Sequence, residues 1–230
     1  RIRSIFANGI SEAIEYDEFG SVARQVVRNS NDEVIASIAY LYDQDGYVTQ
    51  KIFNSDRRVE YAYDPSGQLI RESYFEGASL LKSVAFEYDS VGNRTKLIDS
   101  VSGTIEYQYD INDRLTLKKE GLLETSYRYD QTGNLTAKLL NNGDSINYVW
   151  SAESRLASTE SVIAGAVTLE TYLYDGFGVR VGVIRNGVET RYLYDANGGL
   201  SEIVELYDSS GNVQSTVSFG AGSVASTSTS

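Results

Sequence analysis

Carboxylates are the side chains of this chain that could do chemistry. The 230 residues include 32 Asp and Glu against 20 Lys and Arg, and two carboxyl groups placed across a sugar can serve as the acid and the nucleophile of a glycosidase. However, the Asp residues recur at one fixed place in a repeated sequence where a turn explains them, and the Glu residues alternate as they would on a solvated sheet face. We therefore expect no catalytic residues and no enzymatic activity, with glycan hydrolysis as the weakest alternative.

Two residue types that dominate metal and nucleophile chemistry are missing. The chain has no Cys and no His, so it has no disulfide, no thiolate nucleophile and no imidazole base or ligand. Asp43-Gln44-Asp45-Gly46 places two carboxylates at alternate positions, yet it lacks the Gly and the Glu that an EF-hand loop requires at its sixth and twelfth positions. Asn31-Asp32-Glu33 is a second acidic loop. We expect no metal and no cofactor, and a structural ion at either loop is the alternative.

The net charge of −12 and the pI near 4.5 argue against two classes of partner. Nucleic acids and anionic membranes both attract clustered Lys and Arg, so we expect this chain to bind neither. No apolar run reaches the roughly 18 residues of a membrane span, so membrane insertion by this segment is not expected. The chain contains no Met, from which we expect it to be part of a longer or processed polypeptide.

A repeated unit organises the sequence. Ten copies align on an aromatic residue, which Asp follows directly in nine copies and Gly follows four positions later in eight. Successive copies are 20 to 26 residues apart, except that the last interval is 13. The copies start at Tyr16, Tyr42, Tyr63, Tyr88, Tyr109, Tyr129, Trp150, Tyr174, Tyr194 and Tyr207. Such self-similarity indicates a repeat architecture, in which each unit packs against its neighbours.

The centre of each copy predicts a chain reversal. Asp at the first position and Gly at the fourth are preferred in a type I turn, because the carboxylate can accept a backbone N–H two residues on and Gly tolerates positive φ. Hairpin loops of three to five residues with such a Gly connect antiparallel strands. The Gly residues are Gly20, Gly46, Gly67, Gly92, Gly133, Gly178, Gly198 and Gly211, and Asp113 and Ser154 stand in the two other copies.

The residues flanking each turn alternate in hydrophobicity. Two positions before the aromatic residue, nine copies carry Ile, Phe or Tyr; six positions after it, eight copies carry Val or Leu, with Arg94 and Arg180 as departures. A period of two places these side chains on one sheet face and leaves the other face solvated. The expected same-face pairs include Tyr63 with Leu69, Tyr109 with Leu115 and Tyr129 with Leu135. Core packing is the favoured role of the tyrosine rows, and stacking against carbohydrate is the alternative.

These patterns predict an all-β fold of antiparallel β-hairpin repeats, with two strands per repeat and about twenty strands in all. No segment combines a sustained 3.6-residue period with helix caps. Residues 1–218 are expected to form the repeat array of about ten units. Residues 219–230, which are small and hydroxylated, are expected to be a flexible tail or linker.

The repeated unit resembles that of the YD-repeat, or Rhs-repeat, family, which reads Tyr-Asp-x-x-Gly-Arg/Asn-Leu and continues to a Tyr-x-Tyr-Asp. It occurs here as Tyr61-Ala62-Tyr63-Asp64-Pro65-Ser66-Gly67-Gln68-Leu69, as Tyr107-Gln108-Tyr109-Asp110 and as Tyr127-Arg128-Tyr129-Asp130-Gln131-Thr132-Gly133-Asn134-Leu135. The resemblance covers nearly the whole chain. Asp64-Pro65 is superficially similar to the Asp-Pro motifs of the family's self-cleaving end domain, but it occupies an ordinary turn position and is not expected to be cleaved.

The resemblance implies a continuous curved, spiralling sheet that is part of a hollow shell. In bacterial polymorphic toxins and insecticidal toxin complexes of this family the shell encloses a toxic domain, and in teneurins it displays adhesion domains. We therefore expect a non-enzymatic wall segment of a secreted or cell-surface bacterial protein. Its partners would be the remainder of its own parent polypeptide and an enclosed or presented effector domain. The alternative is an extracellular adhesion or filament-forming module, including a carbohydrate-binding one, that self-associates through edge strands.

Overall fold

The computed structural model describes residues 2–53, 56–195, 202–220 and 223–228. These residues form 21 strands and no helix, so none of them lies in a helix able to cross a membrane. The strands are β1 (Ile2–Ile5), β2 (Ser11–Tyr16), β3 (Val22–Arg28), β4 (Val34–Tyr42), β5 (Val48–Phe53), β6 (Arg57–Tyr63), β7 (Leu69–Glu76), β8 (Ser79–Tyr88), β9 (Arg94–Asp99), β10 (Gly103–Tyr109), β11 (Leu115–Glu120), β12 (Leu123–Tyr129), β13 (Leu135–Leu140), β14 (Ser145–Trp150), β15 (Leu156–Ile163), β16 (Ala166–Tyr174), β17 (Arg180–Arg185), β18 (Val188–Asp195), β19 (Glu202–Asp208), β20 (Val213–Gly220) and β21 (Ser223–Ser228).

The chain divides into two compact units, residues 1–122 and residues 123–230. In the first unit each strand from β1 to β11 pairs antiparallel with the next strand along the chain. In the second unit β12 to β21 follow the same rule. Each unit is thus a succession of hairpins, which confirms the predicted all-β fold of antiparallel hairpin repeats.

The Tyr-Asp turns form as the sequence predicts. In the first copy Asp17 donates its N–H to the Ser21 carbonyl at 2.9 Å, and its Oδ1 accepts the N–H groups of Phe19 and Ser21 at 2.9 and 2.8 Å. Positive φ occurs at the fourth position in every described copy, including the two without Gly. The φ angles are 87° at Gly20, 87° at Gly46, 80° at Gly67, 97° at Gly92, 59° at Asp113, 92° at Gly133, 56° at Ser154, 85° at Gly178 and 83° at Gly211. The turn therefore imposes the left-handed conformation even where the residue disfavours it.

In nine of the ten copies the strand register places the aromatic residue opposite the residue six positions later. Tyr63 pairs with Leu69 and the adjacent pair is Ala62 with Arg71, so Ile70 is the extra residue of a β-bulge. The equivalent pairs are Tyr16 with Val22, Tyr42 with Val48, Tyr88 with Arg94, Tyr109 with Leu115, Tyr129 with Leu135, Trp150 with Leu156, Tyr174 with Arg180 and Tyr207 with Val213. Because directly opposed residues of an antiparallel pair share a face, the three predicted Tyr–Leu pairs are confirmed.

The copy at Tyr194 differs from the others. Tyr194 pairs with Ile203 rather than with the residue six positions later. That residue, Leu200, and the turn residue Gly198 lie outside the described part of the chain.

Buried side chains occur on both faces. The buried hydrophobic residues of the described chain are Ala13, Val26, Val59, Val84 and Ala137. Val59 lies on the same face as the tyrosines, but Val26, which is 2% exposed, lies on the other face. The expectation that this second face is simply solvated is therefore wrong. Arg24 extends along it to Ser37 Oγ at 3.5 Å, and Ser37 is the residue opposite Val26, so the long polar side chain shields the short apolar one.

The end of the chain also departs from expectation. Strand β20 runs to Gly220, and β21 pairs antiparallel with it. Gly220 is opposite Ser223 at one end of this pairing, and Ser215 is opposite Ser228 at the other. Residues 223–228 are thus in a strand, while the flexibility expected of residues 219–230 stays a prediction. A sequence of Ser, Thr and Val without Pro can satisfy its backbone groups in a ladder even though it lacks large apolar side chains. The domain boundary near residue 218 stays a prediction.

Candidate functional site

One face of the sheet collects most of the repeat's characteristic side chains, and we call it the tyrosine face. It carries the aromatic residue of each Tyr-Asp copy, the residue two positions before it and the residue six positions after it. Strand periodicity and the cross-strand pairs place all three on the same side. Most of these aromatic side chains are half-buried, so the face combines aromatic packing with access to solvent.

The tyrosine hydroxyls connect each copy to the preceding one. In six copies the tyrosine hydroxyl donates a hydrogen bond to a backbone carbonyl of the preceding copy. The acceptor is always the residue six positions after that preceding copy's aromatic residue. The bonds are Tyr42 to Val22 at 2.8 Å, Tyr63 to Val48 at 3.0 Å, Tyr88 to Leu69 at 2.8 Å, Tyr109 to Arg94 at 2.9 Å, Tyr174 to Leu156 at 2.9 Å and Tyr194 to Arg180 at 2.6 Å. Trp150 makes the same bond to Leu135 with its indole N–H at 2.7 Å.

This hydrogen bond explains why the position is Tyr or Trp. Tyr and Trp both join a large apolar ring to a hydrogen-bond donor, whereas Phe lacks the donor. The sequence contains a sign of this hydrogen bond that a hydrophobicity pattern does not reveal. No copy has Phe at this position, whereas Phe86 and Ile14, which have no side-chain donor, occur two positions before it in their copies. Burial raises the pKa of Tyr63 and of Tyr194, which favours the protonated hydroxyl that donates this hydrogen bond.

The turns of successive copies also contact each other at the edge of the sheet. Tyr47 stacks on Tyr63 of the next copy with ring centroids 4.9 Å apart and planes inclined by 29°. Its hydroxyl lies over Gly67, where an added Cβ would come within 2.1 Å of the Tyr47 oxygen. Gly67 is therefore needed both for its positive φ and for the room it leaves.

Arg94 replaces the expected Val or Leu and lies between two aromatic side chains. Its Cζ is 5.7 Å from the ring centroid of Phe86 in its own copy and 5.0 Å from that of Tyr107 in the next copy. One terminal nitrogen approaches the Tyr107 hydroxyl at 3.4 Å. Such cation–π contacts contribute about 0.5–1 kcal/mol at exposed sites, so they compensate for the missing aliphatic side chain.

Arg180 repeats this arrangement in the second unit. Its Cζ is 5.3 Å from the Tyr172 ring and 5.6 Å from the Tyr192 ring. Tyr172 stands two positions before the aromatic residue of the same copy, and Tyr192 holds that place in the next copy. Both departures from the hydrophobic pattern thus have the same structural explanation, which the sequence reasoning missed.

A polar cluster lies on the tyrosine face of the first unit. The Tyr74 hydroxyl donates to Glu72 Oε2 at 2.6 Å, and Lys82 Nζ is 2.7 Å from Asp99 Oδ2. The hydrogen bond to Glu72, together with burial, raises the pKa of Tyr74 to about 12. The hydrogen bond from Lys82, with backbone N–H groups of Val101 and Ser102, lowers the pKa of Asp99 to about 2. Both carboxylates therefore serve as hydrogen-bond acceptors for neighbouring groups.

A similar cluster surrounds Glu170 in the second unit. Glu170 Oε2 accepts a hydrogen bond from the Tyr172 hydroxyl at 2.6 Å, and its Oε1 lies 2.7 Å from Arg185 Nε. The hydrogen bonds from Tyr172 and Arg185 hold the pKa of Glu170 below its usual value. Both clusters therefore use their carboxylates to fix neighbouring tyrosine and basic side chains.

The acidic loops that the sequence raised as metal candidates serve their own turns. Asp43 Oδ1 accepts the backbone N–H groups of Asp45 and Tyr47 at 3.0 and 2.9 Å. Asn29 plays the same part before Asn31-Asp32-Glu33, since its Oδ1 accepts two backbone N–H groups at 3.0 Å. Over residues 2–53, 56–195, 202–220 and 223–228, no three Asp or Glu side chains group as metal ligands. Asp64, in the Asp64-Pro65 pair, likewise accepts the N–H groups of Ser66 and Gln68, both at 2.9 Å.

Comparison with known proteins identifies the fold through solved structures. No family model and no curated protein matches the chain. The crystal structure of TcdB2-TccC3-TEV matches with a TM-score of 0.57 and 17% identity over 94% of this chain. A Photorhabdus luminescens Tc holotoxin pore matches with a TM-score of 0.56 and 17% identity over 94%. TcdB2-TccC3 without its hypervariable C-terminal region matches with a TM-score of 0.64 and 14% identity over 85%.

These matches show a shared fold. The chain spans 14% of the length of the first two matched chains and 12% of the third. It is thus similar to a limited part of large toxin-complex chains.

Proposed function

We propose that this chain is a non-enzymatic structural scaffold, a wall segment of a secreted or cell-surface bacterial YD-repeat (Rhs-repeat) protein that encloses or presents an effector domain. The observation that carries the proposal is the series of hydrogen bonds from Tyr and Trp side chains to the preceding copy's backbone. Each bond joins one hairpin to the one before it, so the array supports itself through contacts between neighbours.

The distribution of buried residues supports a wall. A globular domain of this length relies on one central core, whereas only five hydrophobic side chains of the described residues are buried, and they are spread over both faces. Aromatic rings, cross-copy hydrogen bonds and salt bridges hold adjacent strands together instead. A sheet stabilised in this way can leave a broad aromatic face accessible to another polypeptide, as repeat proteins do.

The comparisons support the same proposal. The matched structures are toxin complexes, and the name of one refers to a hypervariable C-terminal region. Because this chain corresponds to a small part of each matched chain, the role we propose is that of one segment within a larger shell. The remainder of the parent polypeptide and an enclosed effector domain would be its partners.

The use of the carboxylates supports a non-enzymatic role. Glu72, Asp99 and Glu170 on the tyrosine face each hold a neighbouring Tyr, Lys or Arg, and the turn Asp residues accept backbone N–H groups. A glycosidase instead needs one carboxyl group as a proton donor and a second across the scissile bond. Saturable hydrolysis in a broad glycan panel, abolished by one Asp or Glu substitution, would overturn this part of the proposal.

The direct experiment is electron cryomicroscopy of the natural polypeptide that contains this chain. A closed shell, with these residues in its wall and protein density inside, is the expected result. A compact globule in which these hairpins surround no space would contradict the proposal. Proteinase treatment of the same sample provides a second readout, because an enclosed domain should resist cleavage until the shell is denatured.

A second candidate is an extracellular adhesion or filament-forming module. It is favoured by β1 and β21, each of which has one pairing strand among the described residues. An unpaired strand edge can recruit another chain. Filaments in the micrographs, or a mass by light scattering that rises steadily with concentration, would favour this candidate over the shell.

A further inference from the structure

We propose that the tyrosine face carries two carboxylate-binding sites, one at Arg94 and one at Arg180, and that their ligand is an acidic polypeptide segment. The sites would exist whether the sheet belongs to a shell or to a filament. Their test is therefore independent of the proposed function.

Both guanidinium groups are exposed and lack a carboxylate partner within the described part of the chain. The Arg94 side chain donates a hydrogen bond from Nη2 to the Tyr107 hydroxyl, with 3.4 Å between the two atoms. Several other arginines of this acidic protein do form ion pairs. These pairs are Arg57 with Glu76 at 3.3 Å, Arg58 with Glu60 at 2.8 Å and Arg185 with Glu170 at 2.7 Å. Each unit thus carries on its tyrosine face an Arg without a carboxylate partner among the described residues, which is a local exception to the overall negative charge.

The neighbouring rings prepare each guanidinium for a carboxylate. A guanidinium held over aromatic rings keeps its N–H groups available at its rim, and its planar fork matches the two oxygens of a carboxylate. Arg94 lies between Phe86 and Tyr107, and Arg180 lies between Tyr172 and Tyr192. Because the rings restrict each side chain before binding, less conformational freedom is lost when the ligand arrives.

The arrangement recurs with the same construction in two separate units. Each Arg stands six positions after its copy's aromatic residue and opposite it in the strand pair. Each Arg also lies between two aromatic side chains, one from its own copy and one from the next copy. In both copies this side chain belongs to the residue two positions before the repeat's Tyr. Since Val or Leu fills this position in the other copies with the same register, the fold itself does not require Arg there.

The surroundings favour a peptide over a sugar acid. The guanidinium groups cover the rings that a sugar would need for stacking. Leu97, in the same strand as Arg94, and Ile105, in the next strand, form a cross-strand pair on the same face. This mixture of an apolar strip and an isolated cation suits a segment in which acidic residues alternate with apolar ones.

The experiment measures binding of a rhodamine-labelled peptide of alternating Glu and Leu residues by fluorescence anisotropy. We expect the double variant Arg94→Leu/Arg180→Leu to bind at least about tenfold more weakly, since it removes the charge-assisted contact at the site in each unit. Leu is the residue that other copies carry, so folding should be preserved. Arg94→Lys/Arg180→Lys should be intermediate, because Lys keeps the charge without the planar fork.

The matched control is Arg57→Leu, which removes an exposed Arg that already pairs with Glu76 and should leave binding unchanged. Equal binding by the double Leu variant and the wild-type protein would overturn the proposal. So would an equal loss in the Arg57→Leu control, which would indicate attraction by charge alone. Arg-dependent binding of oligoglucuronate, without binding of the peptide, would overturn the choice of ligand.

Discussion

The indole N–H of Trp150 donates a hydrogen bond to the backbone carbonyl of Leu135 at 2.7 Å. Tyrosine hydroxyls make the same bond in the equivalent copies, so a residue that breaks the Tyr-Asp sequence pattern preserves its physical role. The shared requirement is a large ring with a donor at its far end. This requirement leads to the first prediction.

Tyr88→Phe should lower the free energy of unfolding by about 1 kcal/mol. The substitution keeps the ring but removes the donor to the Leu69 carbonyl, which is bonded at 2.8 Å in the wild-type protein. Urea denaturation followed by fluorescence measures the change. Tyr40→Phe is the matched control, because that hydroxyl makes no hydrogen bond to any residue that the structure describes, and its removal should cost little. Equal losses in the two variants would show that the cross-copy bond is not responsible.

Gly67→Ala should destabilise the protein more than Gly133→Ala does. Both glycines have positive φ, at 80° and 92°, so both substitutions incur the strain of the left-handed conformation, about 1–2 kcal/mol. Only the Cβ at residue 67 would meet the Tyr47 hydroxyl, at 2.1 Å, and displacing that ring would cost the stacking on Tyr63, about 0.5–1.5 kcal/mol. Thermal unfolding provides the comparison.

The Tyr47→Asn background separates these two costs. Asn occupies the corresponding position in the copies with Asn93, Asn134 and Asn212. In this background the extra penalty of Gly67→Ala should vanish. A penalty that persists there would mean that Tyr47 is not its source.

The turn carboxylates should make the fold sensitive to acid. Burial opposes ionisation of Asp130, but hydrogen bonds from Asn134 and Thr132 outweigh it and lower its pKa to about 2. A carboxyl group whose pKa is lower in the folded state stabilises the fold above its unfolded pKa, near 4. That stabilisation should be lost as the pH falls from about 4 to about 2, which melting curves at several pH values can follow.

Asp130→Asn and Asp130→Ala distinguish charge from hydrogen bonding. Asn29 already accepts two backbone N–H groups through its Oδ1 in an equivalent turn, so Asp130→Asn should keep the turn and reduce its acid sensitivity. Asp130→Ala should lower the melting temperature at neutral pH by a few degrees. Identical pH dependence in the wild type and Asp130→Asn would refute the role assigned to the charge.

Tyr74 should ionise later than an ordinary tyrosine. Its pKa of about 12 arises first from the hydrogen bond to Glu72 and then from burial. A group whose pKa is higher in the folded state stabilises the fold below its unfolded pKa, near 10. This contribution should therefore disappear as the pH rises from about 10 to about 12.

Glu72→Gln provides the test, because it removes the negative charge beside the hydroxyl while keeping an acceptor. Tyrosinate absorbance, compared with that of Tyr74→Phe, should show Tyr74 titrating at lower pH in the Glu72→Gln variant. An unchanged titration would mean that Glu72 does not set this pKa.

The local structure of each repeat could be predicted from the amino-acid sequence. Asp and Gly at fixed positions specify each turn, and the period of two specifies which side chains share a face, because both properties depend on residues close together in the chain. The Tyr63–Leu69 pair could therefore be predicted. The cross-copy hydrogen bonds could only be suspected from the absence of Phe, since their acceptors are backbone carbonyls, which every residue has.

The role of each departure from the pattern depends on contacts between strands, which the repeat pattern does not specify. Arg94 and Arg180 break the hydrophobic pattern, and their partners became clear only when the neighbouring copy supplied Tyr107 and Tyr192. Val26 is buried on the face opposite the tyrosines, where Arg24 reaches Ser37, the residue paired with Val26, and the hydrophobic pattern does not predict this burial. The physical reason is that sequence periodicity fixes the direction of a side chain, whereas burial, charge pairing and hydrogen-bond acceptors depend on strands that are brought together by the complete fold.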